Sequence, residues 1–403
     1  MTPPKARRSR GDGGLYKRTS DGLWIASIDL GWAGGKRRRK VVSSTDYATA
    51  SRKLRDLRRQ VQDHGDIPTA SMTVGAWLDH WLEHIISATA RPRTLTTYRG
   101  YVTNHIKPAI GKKRIDQLQP QHLRVMHKAM TDAGLSSTSA LQAHHILSKA
   151  LTDAMREGVA PRNVADLVAA PRRAVSTRGS LTVNDTIAVL RGVADDPLGS
   201  RWAAALLTGA RQGELLGLEV NRVSGVLDLS WQLQRLRFRH GCAGTCTVKR
   251  AGNCPRRELD VPPGFEHRPL DGGLALTRPK SRSGTRVVPL VEPLATILAR
   301  HLAAAPPNPH GLVWARPDGR PIDPSHDSAA WHDALAAADV PQAPLHAARH
   351  TTATLLQKVG VPQQIITSIL GHSEMVTTMA YQHDDQSLAV HGLERLSALL
   401  ALD

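Results

Sequence analysis

The chain has 403 residues, with 53 Lys or Arg against 35 Asp or Glu and a formal net charge of +18. A hydrophobic content of 41% excludes a wholly disordered chain and fits roughly two to four domains. No apolar run approaches the roughly 18 residues of a membrane span, no apolar stretch follows the basic start at Met1 to Gly14, and three cysteines leave no complete disulfide framework. A reducing compartment and a nucleic-acid partner are therefore the first expectations.

The charge is uneven. Residues 1–66 hold 16 Lys/Arg against 7 Asp/Glu, half of the total excess in about a sixth of the chain. Residues 1–14 read as a flexible basic arm. Strand-like runs follow at 15–18, 23–30 and 37–44, with turn signals at Ser20-Asp21-Gly22 and Ala33-Gly34-Gly35. In the second run Trp24, Ala26 and Ile28 alternate with Ile25, Ser27 and Asp29. Lys17 and Arg18 close the first run, and Lys36, Arg37, Arg38, Arg39 and Lys40 form five consecutive cations. A two- or three-stranded ribbon fits the major groove, where such cations reach phosphates and base edges. A helix over 46–63, with Leu54, Leu57 and Val61 on one stripe, completes an expected DNA-binding domain over 1–66.

His64 to Ser71 reads as a linker. Four helical patterns follow. The first is capped by Thr73 and carries Trp77, Trp81 and Ile85 on one face. The second follows Thr94, carries Tyr98, Tyr101 and Val102, and stops near Pro108. The third starts at Pro120 and ends at Gly134, with Leu123 and Met130 inward. The fourth runs from about Thr138 to Glu157. These predict a compact helical domain over 72–171, its Trp and Tyr stripes serving as core. Pro171-Arg172-Arg173 through Gly179 reads as a second linker. Residues 178–403 mix helices with strands: 226–238 is strand-like, and 274–278 with 285–290 read as a hairpin around Lys280. Leu388, Leu393, Leu396, Leu399 and Leu400 mark a helix-like tail. It is expected to dock on a neighbouring protomer, the alternative being its own domain.

Four places in the last domain carry chemistry. Arg211 and Glu214 lie i, i+3 in Thr208-Gly209-Ala210-Arg211-Gln212-Gly213-Glu214. Lys280 sits at the expected hairpin tip. His346 and Arg349 are again i, i+3. His372 follows Leu370-Gly371, and Tyr381 comes nine residues later. Each alone has a plain reading as a surface pair, a solvated lysine or a cap. Together, in this order, the segments TGARQGELLGL, LHAARHTTATLL and LGHSEMVTTMAYQH resemble the Arg box, the His-x-x-Arg box and the His…Tyr box of the tyrosine recombinases, the integrase family. The likeness covers the catalytic domain fully. It extends less specifically to a helical, SAM-like core-binding domain and to a basic sheet similar to the arm-binding domain of phage integrases.

The chemistry agrees with the resemblance. A phosphodiester resists attack because its oxygens are negative; two Arg forks neutralise the non-bridging oxygens and stabilise the pentacoordinate transition state. A phenol with pKa of about 10 is only ~0.1% ionised at neutral pH and needs an electropositive site or a base. The resemblance implies that Tyr381 is the nucleophile, Arg211 and Arg349 the phosphate clamp, His346 and His372 the proton-handling pair, and Lys280 the general acid. Glu214 would buttress Arg211. Five tyrosines are present and only Tyr381 lies beyond residue 101, so no other phenol competes there. Arg278, Arg282 and Arg286 share the segment of Lys280 and are its rivals.

His240 and all three cysteines, Cys242, Cys246 and Cys254, fall in an insertion near 240–267. Cys-x3-Cys-x7-Cys with His240 or His267 offers four ligands to a structural zinc; a loop of free thiols is the alternative. The family's chemistry implies no cofactor for catalysis.

The expected fold is a multidomain α+β chain: a small N-terminal sheet, a helical core-binding domain, and a mixed, mainly α catalytic domain. The second and third domains are expected to clamp duplex DNA. The resemblance implies site-specific integration, and excision, of a phage or other mobile element in the bacterial cytoplasm. The implied partners are double-stranded DNA at core and arm sites, a tetramer of this chain on DNA, a host bending factor and an excision factor. A chromosome-dimer resolvase, which usually lacks an arm-binding domain, and a catalytically inactive architectural protein are the alternatives.

Overall fold

The structure is a computed structural model describing residues 14–33, 36–64, 72–174, 179–279, 284–371 and 382–400. It divides into two compact units, residues 1–175 and 176–403.

The first unit opens with strands β1 (Gly14–Lys17), β2 (Trp24–Ala33) and β3 (Lys36–Ser44), an antiparallel sheet in the order β1-β2-β3. Gly22, at φ +70°, supplies the left-handed turn residue between β1 and β2. A bulge between Asp29 and Gly31 shifts the β2–β3 register. Helix α1 (Tyr47–His64) packs on one face, where Leu57 and Val61 meet Ile28, Leu30 and Val42.

The helical part follows. Thr73 caps α2 (Val74–His80), its hydroxyl accepting from the Ala76 N–H at 3.1 Å. A π-helical turn, Trp81–Ile86, joins α2 to α3 (Ser87–Thr89). Next come α4 (Pro92–Tyr101), a second π-helical turn (Val102–Ile106) and α5 (Lys107–Ile110). The second expected helix therefore starts earlier than Thr94 and passes Pro108. The wider turn resets the backbone register, so Pro108 falls in the first turn of α5, where no N–H is needed. Helices α6 (Pro120–Asp132) and α7 (Ser137–Arg156) complete the bundle. Trp77 and Trp81 are buried, and their indole N–H groups donate to the Ala150 carbonyl and the Asp153 carboxylate, each at 2.9 Å. Tyr98 stacks on Trp81. The two indole rings are core, with their N–H groups satisfied, and Tyr98 packs against that core.

The second unit is built around α9 (Gly199–Thr208), which follows α8 (Val183–Gly192). Nine of the ten residues of α9 are buried, the mark of a central helix rather than a surface one. Helix α10 (Gln212–Leu216) comes next. Seven short strands follow: β4 (Val226–Asp228), β5 (Gln232–Arg235), β6 (Phe238–His240), β7 (Arg257–Leu259), β8 (His267–Pro269), β9 (Leu274–Thr277) and β10 (Val287–Pro289). The pairings are β10-β4, β5-β9-β8 and β6-β7. Two expectations are corrected here. The strand-like stretch 226–238 breaks into β4, β5 and the start of β6, with Asp228 accepting from the Ser230 N–H at 2.9 Å in the first turn. The segments 274–278 and 285–290 do not form a hairpin among the described residues: β9 lies between β5 and β8, while β10 pairs with β4. Both have earlier strands as partners, which alternation alone does not reveal.

Helices α11 (Leu294–Ala304), α12 (Pro324–Ala337), α13 (His346–Lys358), α14 (Gln363–Leu370) and α15 (Gln382–Leu400) finish the unit. In α15, Leu393, Leu396 and Leu400 fall on one stripe and enter the unit's own core, with Leu399 packed against it. In the single chain the tail packs on its own unit, and Leu388 is left 48% exposed. No helix among the described residues is long and apolar enough to cross a membrane.

Candidate active site

Helix α9 ends at Gly209, which adopts φ +62°. A Cβ there would lie 2.4 Å from Cδ2 of Leu370, so glycine permits the close approach of this loop to the end of α14. Arg211 is the N-cap of α10. Its backbone N–H donates to Glu214 Oε2 and its Nη1 to Glu214 Oε1, both at 2.7 Å. Gln212 anchors the same turn to α12, donating to the Pro324 carbonyl at 2.8 Å and to Asp327 at 2.9 Å. Asp327 in turn pairs with the buried Arg201 of α9 at 2.8 Å.

Arg286, immediately before β10, donates through both Nη atoms to the Glu214 carboxylate, each at 3.0 Å. Its own carbonyl accepts from the Leu229 N–H, which fixes it beside β4. Three consecutive carbonyls at the end of α14 then receive three different arginines. Ile369 O accepts from Arg286 Nε at 2.7 Å, Leu370 O from Arg349 Nη2, and Gly371 O from Arg211 Nη2 at 3.2 Å. Arg349 also donates to the Gly209 carbonyl at 2.8 Å. Gly371, at φ +68°, ends α14 in a left-handed turn. Helix carbonyls at this end carry partial negative charge and suit cations.

Three guanidinium groups and one carboxylate leave a net charge of +2 in one cluster. Arg211 is 39% exposed, Arg286 8% and Arg349 4%. Burial pulls Arg349 down to about 9, with the Arg211 and Arg286 charges acting in the same direction. Burial pushes the Glu214 carboxyl up, but attraction and hydrogen bonds from Arg286, and then from Arg211, hold it below the ordinary carboxylate range. Glu214 is therefore an anion that fixes two cations. A guanidinium carries five N–H groups, and protein acceptors among the described residues take two on Arg211 and two on Arg349. The cluster is a ready receptor for an oxyanion such as a phosphate.

His346, the exposed first residue of α13, lies one turn before Arg349, its ring 4.8 Å from that of His350. Lys280, His372 and Tyr381 lie outside the described residues. His372 follows directly on Gly371, whose carbonyl Arg211 holds. Two rivals of Lys280 are already engaged: Arg286 in the cluster, and Arg278, which lies 4.0 Å over the Trp231 ring and pairs with Glu266 at 3.1 Å. The third, Arg282, lies outside the described residues. The structural part played by Arg286 was not legible in the sequence, since Glu214 is 72 positions away; a lone arginine abutting the apolar run Val287–Val288 is the only local hint.

The cations of the N-terminal sheet divide between two faces. Arg37 and Arg39 are exposed, while Arg38 and Lys40 alternate with them and are half-buried. Arg37 Nε contacts Asp29 at 2.8 Å, and Arg18 Nε contacts Asp21 at 2.9 Å. Trp32 pairs in register with Arg37 and is 70% exposed; Tyr16 is 53% exposed. Within the five-cation run, residues 37–40 are thus split by the strand's twofold alternation. Lys17 is exposed at the end of β1.

The ligand atoms of His240, Cys242, Cys246 and Cys254 all lie within 4.8 Å of one another, at the β6–β7 end. His267, the other candidate, is not in this group; its Nδ1 contacts the Phe265 carbonyl at 2.8 Å.

Residues 270–387 match the phage integrase family, and residues 73–130 match its N-terminal SAM-like domain. An integrase of Saccharopolyspora erythraea is 30% identical, across 98% of each chain. Among solved structures, the Tn1549 transposon integrase in complex with transposon right end DNA aligns with a TM-score of 0.60 at 18% identity, covering 81% of this chain and 100% of that one. A lambda integrase tetramer bound to a Holliday junction aligns with a TM-score of 0.54 at 15% identity, covering 91% and 98%. These two likenesses establish the shared fold. The full-length likeness to the Saccharopolyspora integrase, together with the family match over 270–387, which includes Arg286 and Arg349, places the chain in the phage integrase family of site-specific tyrosine recombinases.

Proposed function

We propose that the arginine cluster holds the scissile phosphate of duplex DNA and that Tyr381 is the nucleophile. The observation that carries this reading is the convergence of Arg211 and Arg349 on the end of α14, one residue before His372. The Tyr381 oxygen attacks phosphorus as its proton leaves, and His346 and His372 handle protons and hydrogen bonds around the phosphate. The bond to the 5′ oxygen of the next nucleotide breaks, Lys280 protonates that oxygen, and a 3′-phosphotyrosine remains. A 5′-hydroxyl then attacks this ester and returns the phenol, so the phosphoester bond energy is conserved and rejoining needs no ATP.

The element moved is a phage or other mobile element, integrated and excised in a bacterial cytoplasm. The basic sheet β1–β3, which chromosome-dimer resolvases usually lack, favours this over the resolvase reading. Arg37, Arg38, Arg39, Lys36 and Lys40, with Lys17 and Arg18, supply arm-site contacts, and the helical bundle 72–171 contacts the core site. The tetrameric lambda relative supports a tetramer of this chain on two synapsed duplexes, assisted by a host bending factor and an excision factor.

The test is a nicked suicide duplex carrying a candidate attachment site. Wild type is expected to trap a covalent DNA adduct that survives denaturant, without ATP, while Tyr381→Phe traps none. An undiminished adduct in that variant places the nucleophile elsewhere.

A further inference from the structure

We propose that His240, Cys242, Cys246 and Cys254 bind one zinc ion that braces the β6–β7 loop. Tetrahedral zinc, with Zn–S of about 2.3 Å and Zn–N of about 2.0–2.1 Å, sets S···S near ~3.8 Å and S···N near ~3.6 Å. The structure has Cys242–Cys246 at 3.3 Å, Cys246–Cys254 at 3.7 Å, His240 Nδ1–Cys246 at 3.3 Å and His240 Nδ1–Cys242 at 4.0 Å. The two S···N distances bracket the tetrahedral value, and the two S···S distances fall within about 0.5 Å below theirs. None matches a disulfide, whose sulfurs sit about 2.05 Å apart.

The backbone is shaped to bring the four groups together. His240 is the last residue of β6 and pairs with Arg257. Gly241 accepts a close approach that a side chain would block, since a Cβ would lie 2.4 Å from the Arg256 carbonyl. Ala243 at φ +48° and Gly244 at φ +82° turn the chain so that Cys246 comes back to Cys242. A short 3-10 turn, Ala251–Asn253, delivers Cys254 from the other side.

Nothing else in the loop provides a core. Between residues 241 and 256, Cys242 and Cys254 alone are buried. A loop with so little apolar burial needs a staple to hold one conformation. Three thiolates select a soft or borderline metal over calcium or magnesium. Four protein ligands fill a tetrahedral shell, so the ion has no open position for water and its part is structural. Its Cys3His shell carries a net charge of −1, which Lys249, Arg250 and Arg256 in the same loop offset.

The test needs no DNA, so it stands or falls separately from the recombinase mechanism. Full-length protein purified without chelator is analysed for metals. The expected result is about one zinc per chain, falling at least ~10-fold in Cys242→Ser and in Cys254→Ser. Cobalt(II) exchanged into wild type should show thiolate charge-transfer and tetrahedral d–d bands, and the three thiols should react with a thiol reagent far more slowly before chelation than after it. This cobalt and thiol measurement on wild type keeps the test valid should a serine variant misfold. Less than half an equivalent of zinc with freely reacting thiols, copper in zinc's place, or a Cys242–Cys246 disulfide by mass overturns the proposal.

Discussion

In the sheet over residues 14–44, Arg37 and Arg39 stand exposed on an edge strand beside Trp32. In the second unit, Arg286 and Arg349 are 8% and 4% exposed, and each guanidinium is held by backbone carbonyls. The residue type is the same and the physics differs. Exposed cations attract phosphates through screened, salt-dependent interactions and substitute for one another. Buried cations are fixed dipoles and charges in a poorly screening medium; they are costly to hold, and they act at one point. On the proposed function, the first arrangement would give affinity for any duplex and the second would stabilise one transition state.

The largest effect is expected at Glu214, the one carboxylate within the arginine cluster among the described residues. Glu214→Gln leaves Arg211 and Arg286 without their counter-charge and should cost about 3–5 kcal/mol of stability, read as a lower denaturant midpoint with an unchanged slope. The pH dependence follows from the sign of the shift. The Glu214 carboxyl is held below its ordinary value of 4.5. The stability it contributes is complete above that value and is lost as pH falls through the depressed one. Wild type should therefore lose stability on acidification below about 4.5, and Glu214→Gln should lose less. Equal acid sensitivity in both proteins would mean that Glu214 does not serve as the ionised anchor.

A smaller effect is expected in the N-terminal sheet. Arg39→Ala should weaken binding to duplex carrying arm sites and lower the slope of log K against log salt by about 0.9, the value for one phosphate contact. The rate of adduct formation at saturating core-site DNA should not change. A slope that stays at the wild-type value would remove Arg39 from the phosphate contacts.

Sequence legibility divides along the same line. Strands β1–β3 and helix α1 are local: turn glycines, alternating residues and one leucine stripe determine them, and the expected and observed spans agree to within three residues at each end. The helical bundle is nearly as readable, except where π-helical turns carry α4 past the position at which Pro108 should have stopped it. The site was legible as residue types in order, because Arg211, His346 and Arg349 sit in short recognisable segments. Its assembly was not. That Arg286 shares the Glu214 carboxylate, and that Ile369, Leu370 and Gly371 each receive a different arginine, depends on strand β10 pairing with β4 rather than with β9. That pairing is a long-range choice with no local signature. His240 was one of two histidine candidates for the cysteine cluster, and only the β6–β7 register singles it out.

On the proposed function, Arg349 acts on the charge of the phosphate rather than merely supporting α14. Single-turnover cleavage on two substrates tests this most directly, one with an ordinary scissile phosphodiester and one with a neutral methylphosphonate at that linkage. On the ordinary linkage, Arg349→Ala should slow adduct formation by ~10²–10³ relative to wild type. On the neutral linkage the gap between the two proteins should shrink to less than ~10-fold, because the charge that the guanidinium neutralises is gone. A full loss persisting on the methylphosphonate would instead make Arg349 a structural strut.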